Sequence, residues 1–194
     1  VGTDEFWSFI EAARVDATEE RPFDVALVDL LVRRSKQDIL EYEERFGELH
    51  GAIERWDVWA AAYLIGSGCS DDGFMDFRAG LIAQGREWYE RAAAVPDSLA
   101  EHPQVVTAAA DAQDQALFCE TVNYAAACAY GRITGNDDDF HEAWDRCGEA
   151  GAALERDAAD MEESFDFDDP QEMHRRLPRL SALYLPEGDD KPSS

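Results

Sequence analysis

Asp71, Asp72 and Asp76 lie close together in the chain, directly after Cys69 and Ser70 and just before Arg78. On a helix advancing about 100° per residue, Asp72 and Asp76 point the same way. That pair could hold a hard divalent ion such as Mg²⁺, which keeps several of its waters. Cys69, at the mouth of a helix N-terminus, is placed where a dipole favours thiolate. No histidine adjoins it in sequence to serve as its base. Ser70, Asp71 and Asp72 have a plainer use as caps on exposed backbone N–H groups. Arg78 shares a helical stripe with Phe74, Phe77, Leu81 and Gly85. A guanidinium on a buried stripe needs carboxylates or carbonyls around it. Arg78 is therefore expected to tie down the Gly68–Asp72 turn or the later segment at 165–169. Arg86, Trp59 and Tyr63 complete the candidate site. Trp56, Trp59, Tyr63, Trp88 and Trp144 could line a pocket, though core packing explains their helical spacing equally well.

Most catalytic signatures are missing. The chain has no paired-cysteine zinc spacing, no His-Glu-x-x-His and no glycine-rich phosphate loop. Gly66 and Gly68 lack the third glycine of a dinucleotide fingerprint. Asp137-Asp138-Asp139 fails the calcium-loop pattern because its sixth position is Glu142 rather than glycine. His50, His102, His141 and His174 are scattered, each expected at a surface or a helix end. No cofactor is expected beyond the divalent ion that Asp72 and Asp76 could take.

The elements that must position these residues are helical almost throughout. Thr3 is placed to cap a first helix with the stripe Phe6, Phe9, Ile10 and Ala13. Pro22 suits the first turn of a second, with Leu27, Leu30 and Leu31 inward. Ser35 with Asp38 forms a capping box ahead of Ile39, Tyr42, Phe46, Leu49 and Ile53. The next helix, about 57–65, is apolar on every face and belongs at the centre of a bundle. A fifth runs over about 71–84 and bends at Gly85 before continuing to Ala94. Pro103 opens a long Ala-rich helix to about 133, with a break near 111–115. Gly135 stops it, and a further helix carries Phe140, Ala143, Trp144, Cys147, Gly151 and Leu154. Asp169-Pro170 opens a last short helix, interrupted at Pro178. The expected fold is all-α: one multi-helix domain over 1–186 with a flexible tail at 187–194.

Charge narrows the partners. Among 194 residues, 43 acids face 17 bases, a formal net charge of −26. Such a surface repels nucleic-acid phosphates and anionic lipid heads, so neither is expected as a direct partner. A solubilising shell, adaptation to salt and attraction to a basic protein surface remain. No apolar run reaches membrane-spanning length, and Val1–Arg14 is unlike a signal peptide. Cys69, Cys119, Cys128 and Cys147 are then expected as reduced thiols in a cytoplasmic protein.

Several blocks carry a resemblance. Trp59-Ala-Ala-Ala-Tyr-Leu-Ile, Gly68-Cys-Ser-Asp-Asp-Gly-Phe, Asp76-Phe-Arg, Leu81-Ile-x-x-Gly-Arg and Pro96-Asp-Ser-Leu resemble the bacterial family catalogued as domain of unknown function 4240. The opening Asp4-Glu-Phe-Trp-x-x-Ile and the late Phe167-Asp-Asp-Pro-x-x-Met and Leu177-Pro-x-Leu are similar to that family's ends. Residues of about 103–165 carry little likeness and read as an insert. The resemblance implies a small, intracellular, mostly helical protein and brings no reaction, cofactor or catalytic residue. Two functions stand: a non-enzymatic interaction module for a basic protein partner, or a hydrolase or transferase using the carboxylates of the Gly68–Arg78 segment.

Overall fold

The computed structural model describes residues 1–136, 138–151, 161 and 163–185, and every regular element among them is helical. In order these are α1 (Thr3–Asp16), α2 (Phe23–Leu31), α3 (Lys36–Ala52), α4 (Trp56–Ile65), α5 (Asp71–Ala83) and α6 (Arg86–Ala94). A 3-10 turn at Pro96–Glu101 leads to α7 (Pro103–Ala110), and a second at Glu120–Tyr124 leads to α8 (Ala125–Thr134). Then come α9 (Asp139–Gly151), α10 (Pro170–Arg176) and α11 (Pro178–Tyr184). The expected tail at 187–194, Asp137 and the Leu154 end of the α9 stripe lie outside the described residues.

Local chemistry sets most boundaries. Ser35 and Asp38 form the capping box on α3: each side chain accepts from the other's backbone N–H at 3.1 Å. Asp169 caps α10 by accepting from Gln171 and Glu172, and Gly135 ends α8 in the left-handed region at φ 81°. Thr3 does not cap α1; it is the first helical residue and Gly2 stands at the N-cap without a side-chain bond. Pro22 likewise sits at the N-cap of α2, one step earlier than expected.

The break expected near 111–115 is present and wider than expected: α7 ends at Ala110, and residues 111–119 have no regular structure. Ala112, Gln115 and Leu117 take positive φ values of 50°, 61° and 72°, which side chains with a Cβ rarely adopt. Tertiary contacts compensate. The Leu117 carbonyl occupies the space a Cβ would need at Gly80, Cys119 N–H donates to the Asp76 carbonyl at 3.0 Å, and the Phe118 ring lies 5.2 Å from that of Phe77. The Ala-rich pattern favours helix, but burying Leu117 and Phe118 against α5 wins.

α4 is interior, as its composition demands, with Val58, Ala60, Ala61, Ala62, Leu64 and Ile65 all buried. α5 joins it there. Residues 77–83 are buried around the whole circumference because Ala79, Gly80 and Ala83 let neighbours approach closely. α5 touches α1, α3, α4, α6 and the Glu120–Tyr124 turn, so it links the α1–α2–α3–α8 side of the molecule to the α4–α11 side. At its end Gly85 takes φ 89°, and a Cβ there would also collide with Arg14 and Glu11 of α1. No described helix is long and apolar enough to cross a membrane.

Candidate functional site

Of the caps expected at the turn between α4 and α5, Ser70 alone makes a capping bond among the described residues. Ser70 is the N-cap of α5 and accepts from Gly73 N–H at 3.2 Å, while Asp71 and Asp72 stand exposed in the first turn. The Trp59 indole N–H donates to the Cys69 carbonyl at 3.1 Å, which pins the turn to α4.

The aromatic residues form a stack rather than an open pocket. Trp56 and Trp59 lie parallel at 5.3 Å, Trp59 and Phe74 at 4.8 Å, and the Arg78 guanidinium carbon sits 4.7 Å from the Phe74 ring centre. Phe167 closes the outer side with its edge toward Trp56 and Trp59 and its ring 5.4 Å from Tyr63. Tyr63 donates its hydroxyl to Asp168, and Trp56 N–H donates to the Met161 carbonyl at 3.3 Å. Trp88 and Trp144 are elsewhere, against His102 and Phe140.

Arg78 is an anchor, but not to either segment expected from sequence. Its Nη1 donates to the His50 carbonyl at 3.1 Å and to Glu54 at 2.9 Å, both at the end of α3. The side chain is only 6% exposed, whereas that of Glu54 is 45% exposed. Nε of Arg78 has no hydrogen-bond partner among the described residues and lies buried beside the Phe74 ring. The Phe165–Asp169 segment is held instead by Tyr63 and by Arg176, which covers the Phe165 ring at 4.1 Å.

The surroundings of Cys69 oppose the thiolate that its place near a helix N-terminus would favour. Cys69 is half-buried ahead of the Ser70 cap, and burial together with nearby Asp76 and Asp71 pushes its pKa up to about 11. Arg86 does not reach the turn. It binds Glu90 and Asp4 through its side chain and Glu11 through its backbone N–H, tying α6 to α1.

The acids do converge. Partial burial raises the Asp76 pKa, and the charges of Glu120 and Asp72 raise it further, against a 3.0 Å hydrogen bond from Asn123. Glu120 is a participant that sequence reading missed; it arrives with the 3-10 turn that packs on α5. Among the described residues no Arg or Lys forms an ion pair with Asp71, Asp72, Asp76 or Glu120. Among those residues no group of three or more His, Cys, Asp or Glu side chains is arranged to hold a metal ion.

A second carboxylate does structural work at a distance. Asp97, in the Pro96–Glu101 turn, is 6% exposed and accepts from Arg179 N–H at 3.0 and 3.2 Å and from Leu180 N–H at 2.9 Å. It caps α11 from 82 residues away. The Pro96-Asp-Ser-Leu and Leu177-Pro-x-Leu blocks are thus two halves of one joint, and only the complementarity of acid and proline-opened helix hinted at it. Two surface clefts, of about 330 and 470 Å³, are lined by none of the candidate-site residues of the Gly68–Arg78 segment, nor by Arg86, Trp59 or Tyr63.

This geometry defines an all-helical protein whose most distinctive blocks are mainly joints between elements, with a cluster of acids that no described Arg or Lys pairs. The chain belongs to the family described as protein of unknown function (DUF4240), which matches residues 2–132 and so extends through the 111–119 segment to the end of α8. No curated protein and no solved structure matches it.

Proposed function

We propose that the protein is a soluble, intracellular, non-enzymatic interaction module, and that the acidic end of α5 receives a basic protein surface. One observation carries the reading: partial burial raises the Asp76 pKa, the charges of Glu120 and Asp72 raise it further, and among the described residues no Arg or Lys is paired with these acids. An incoming guanidinium would relieve that repulsion, and the net charge of −26 would steer it in from a distance. The same field disfavours nucleic acids and anionic membranes as partners. The competing reading, a hydrolase or transferase, has the raised Asp76 carboxyl in its favour but lacks an activated nucleophile, since Cys69 is pushed the wrong way.

Titration of an arginine-rich peptide tests the proposal. Removing charge at Asp71, Asp72, Asp76 and Glu120 is expected to weaken binding far more than removing it at exposed Glu5, Glu19, Glu20 and Glu44. Wild-type affinity should also fall steeply with salt. Equal losses from the two sets, or salt-independent binding, would refute it.

A further inference from the structure

The smaller cleft has a composition at odds with the rest of the molecule. Arg14 of α1, Phe23 of α2, Gln84 after α5, Gln104 of α7, and Leu117 and Phe118 line a space of about 330 Å³. That volume lies at the lower end of the range for small-molecule sites. Among the described residues its one charged lining side chain is an arginine, in a chain where 43 acids face 17 bases. Two side-chain amides, the Cys119 thiol and two aromatic rings lie beside it.

Arg14 has capacity to spare. Its Nη1 donates to Glu11 at 2.9 Å, and no other hydrogen bond engages its guanidinium among the described residues. A guanidinium carries five N–H donors, so a second carboxylate can still be accepted. The backbone N–H of Gln104 is already given to His102 Nδ1, so α7 offers no N–H there for a phosphate. One available cation beside one carboxylate suits a single negative charge better than two.

The Leu117–Phe118 wall is costly to build. Leu117 is buried with φ 72°, and its carbonyl lies where a Cβ of residue 80 would be. This backbone places Leu117 and Phe118 in the cleft lining, and backbone held in a sparsely populated region clusters at ligand sites.

We propose that this cleft binds a small aromatic monocarboxylate, its carboxylate on Arg14 with the Gln84 and Gln104 amides as further donors, and its ring between Phe23 and Phe118. This does not rest on the acidic end of α5, whose charge-removing variants should not weaken it.

The test is calorimetric titration with benzoate and phenylacetate, against benzamide as the neutral and benzylamine as the cationic counterpart. Phe23 and Phe118 ring resonances are followed alongside. Both acids should bind and shift those resonances, with benzamide about tenfold weaker or worse and benzylamine without effect. Arg14→Met and Gln104→Glu should each weaken the acids by about tenfold or more. Gln104 is exposed, so its variant keeps the test valid if Arg14→Met folds poorly. Equal binding of benzoate and benzamide, indifference to both substitutions, or no binding of either acid at about 10 mM overturns the proposal.

Discussion

Asp97 and the Asp71–Asp72 pair are carboxylates placed at helix N-termini, yet they end in opposite states. Asp97 is buried and spends both oxygens on the backbone of α11, far along the chain. Asp71 and Asp72 face water on the helix they open, where the Ser70 hydroxyl takes the capping bond. The dipole favours an anion at both places. Desolvation makes the difference: at Asp97 water cannot replace a lost acceptor, so the carboxylate becomes a joint. At α5 water is present, and the charge stays free for something else.

Breaking the joint should have the largest effect. Asp97→Ala leaves buried N–H groups of α11 unsatisfied and is expected to cost about 3 kcal/mol by urea unfolding. Asp97→Asn retains an acceptor oxygen and should cost roughly 1 kcal/mol. Equal costs for the two would mean that the charge, not the acceptor, matters.

Arg78→Met comes next, at about 2 kcal/mol. It loses the His50 carbonyl and Glu54 contacts, but Glu54 is half-exposed and re-solvates, which limits the penalty. An unchanged melting temperature would remove Arg78 from the list of joints.

Acidification sharpens the contrast between buried and solvated groups. Burial holds the His102 pKa down at about 4, helped by the nearby Arg14 and Arg91 charges. The unfolded chain therefore binds more protons between about pH 6.5 and 4, and this residue's contribution falls as pH drops through that window. His102→Asn, which retains a capping side chain, should gain on wild type there by up to about 1.4 kcal/mol per pH unit. Glu43 runs the other way. Burial pushes its carboxyl up to about 7, so stability is lost as pH rises from about 4.5 to 7, and Glu43→Gln should escape that loss. Chemical unfolding across pH 4–8 of the three proteins separates the two signs.

The smallest effect belongs to exposed Asp72 and half-buried Asp76 together. Asp72→Asn with Asp76→Asn should leave the melting temperature within about 2 °C of wild type. Millimolar Mg²⁺, Mn²⁺ or Ca²⁺, matched in ionic strength with NaCl, should shift both proteins alike. A metal-specific rise lost in the double variant would turn these acids into a metal site.

Much of the helical layout is legible in the residues. The Ser35–Asp38 box, the Ser70 cap, the Gly85 break and the Asp169-Pro170 start each act within a turn of helix, where sequence distance and spatial distance coincide. The interior position of α4 follows from its having no polar face. Of the candidate site, the shared face of Asp72 and Asp76 and the need of Arg78 for partners were readable too. Which partners it has was not. Three good acceptor sets competed for one guanidinium, and the end of α3 prevailed only because α3 packs beside α5.

The sequence by itself therefore determined where most helices start and stop, which faces are apolar, and that the whole carries a large negative charge. The tertiary structure alone decided that residues 116–119 lie on the surface of α5 instead of resuming helix, that Asp97 finds α11, and that Glu120 joins Asp72 and Asp76. The physical reason is common to all three. Propensity and periodicity act over a few residues, whereas burying Leu117, satisfying α11's first N–H groups and crowding like charges depend on which surfaces meet, and that is settled by packing across the whole chain.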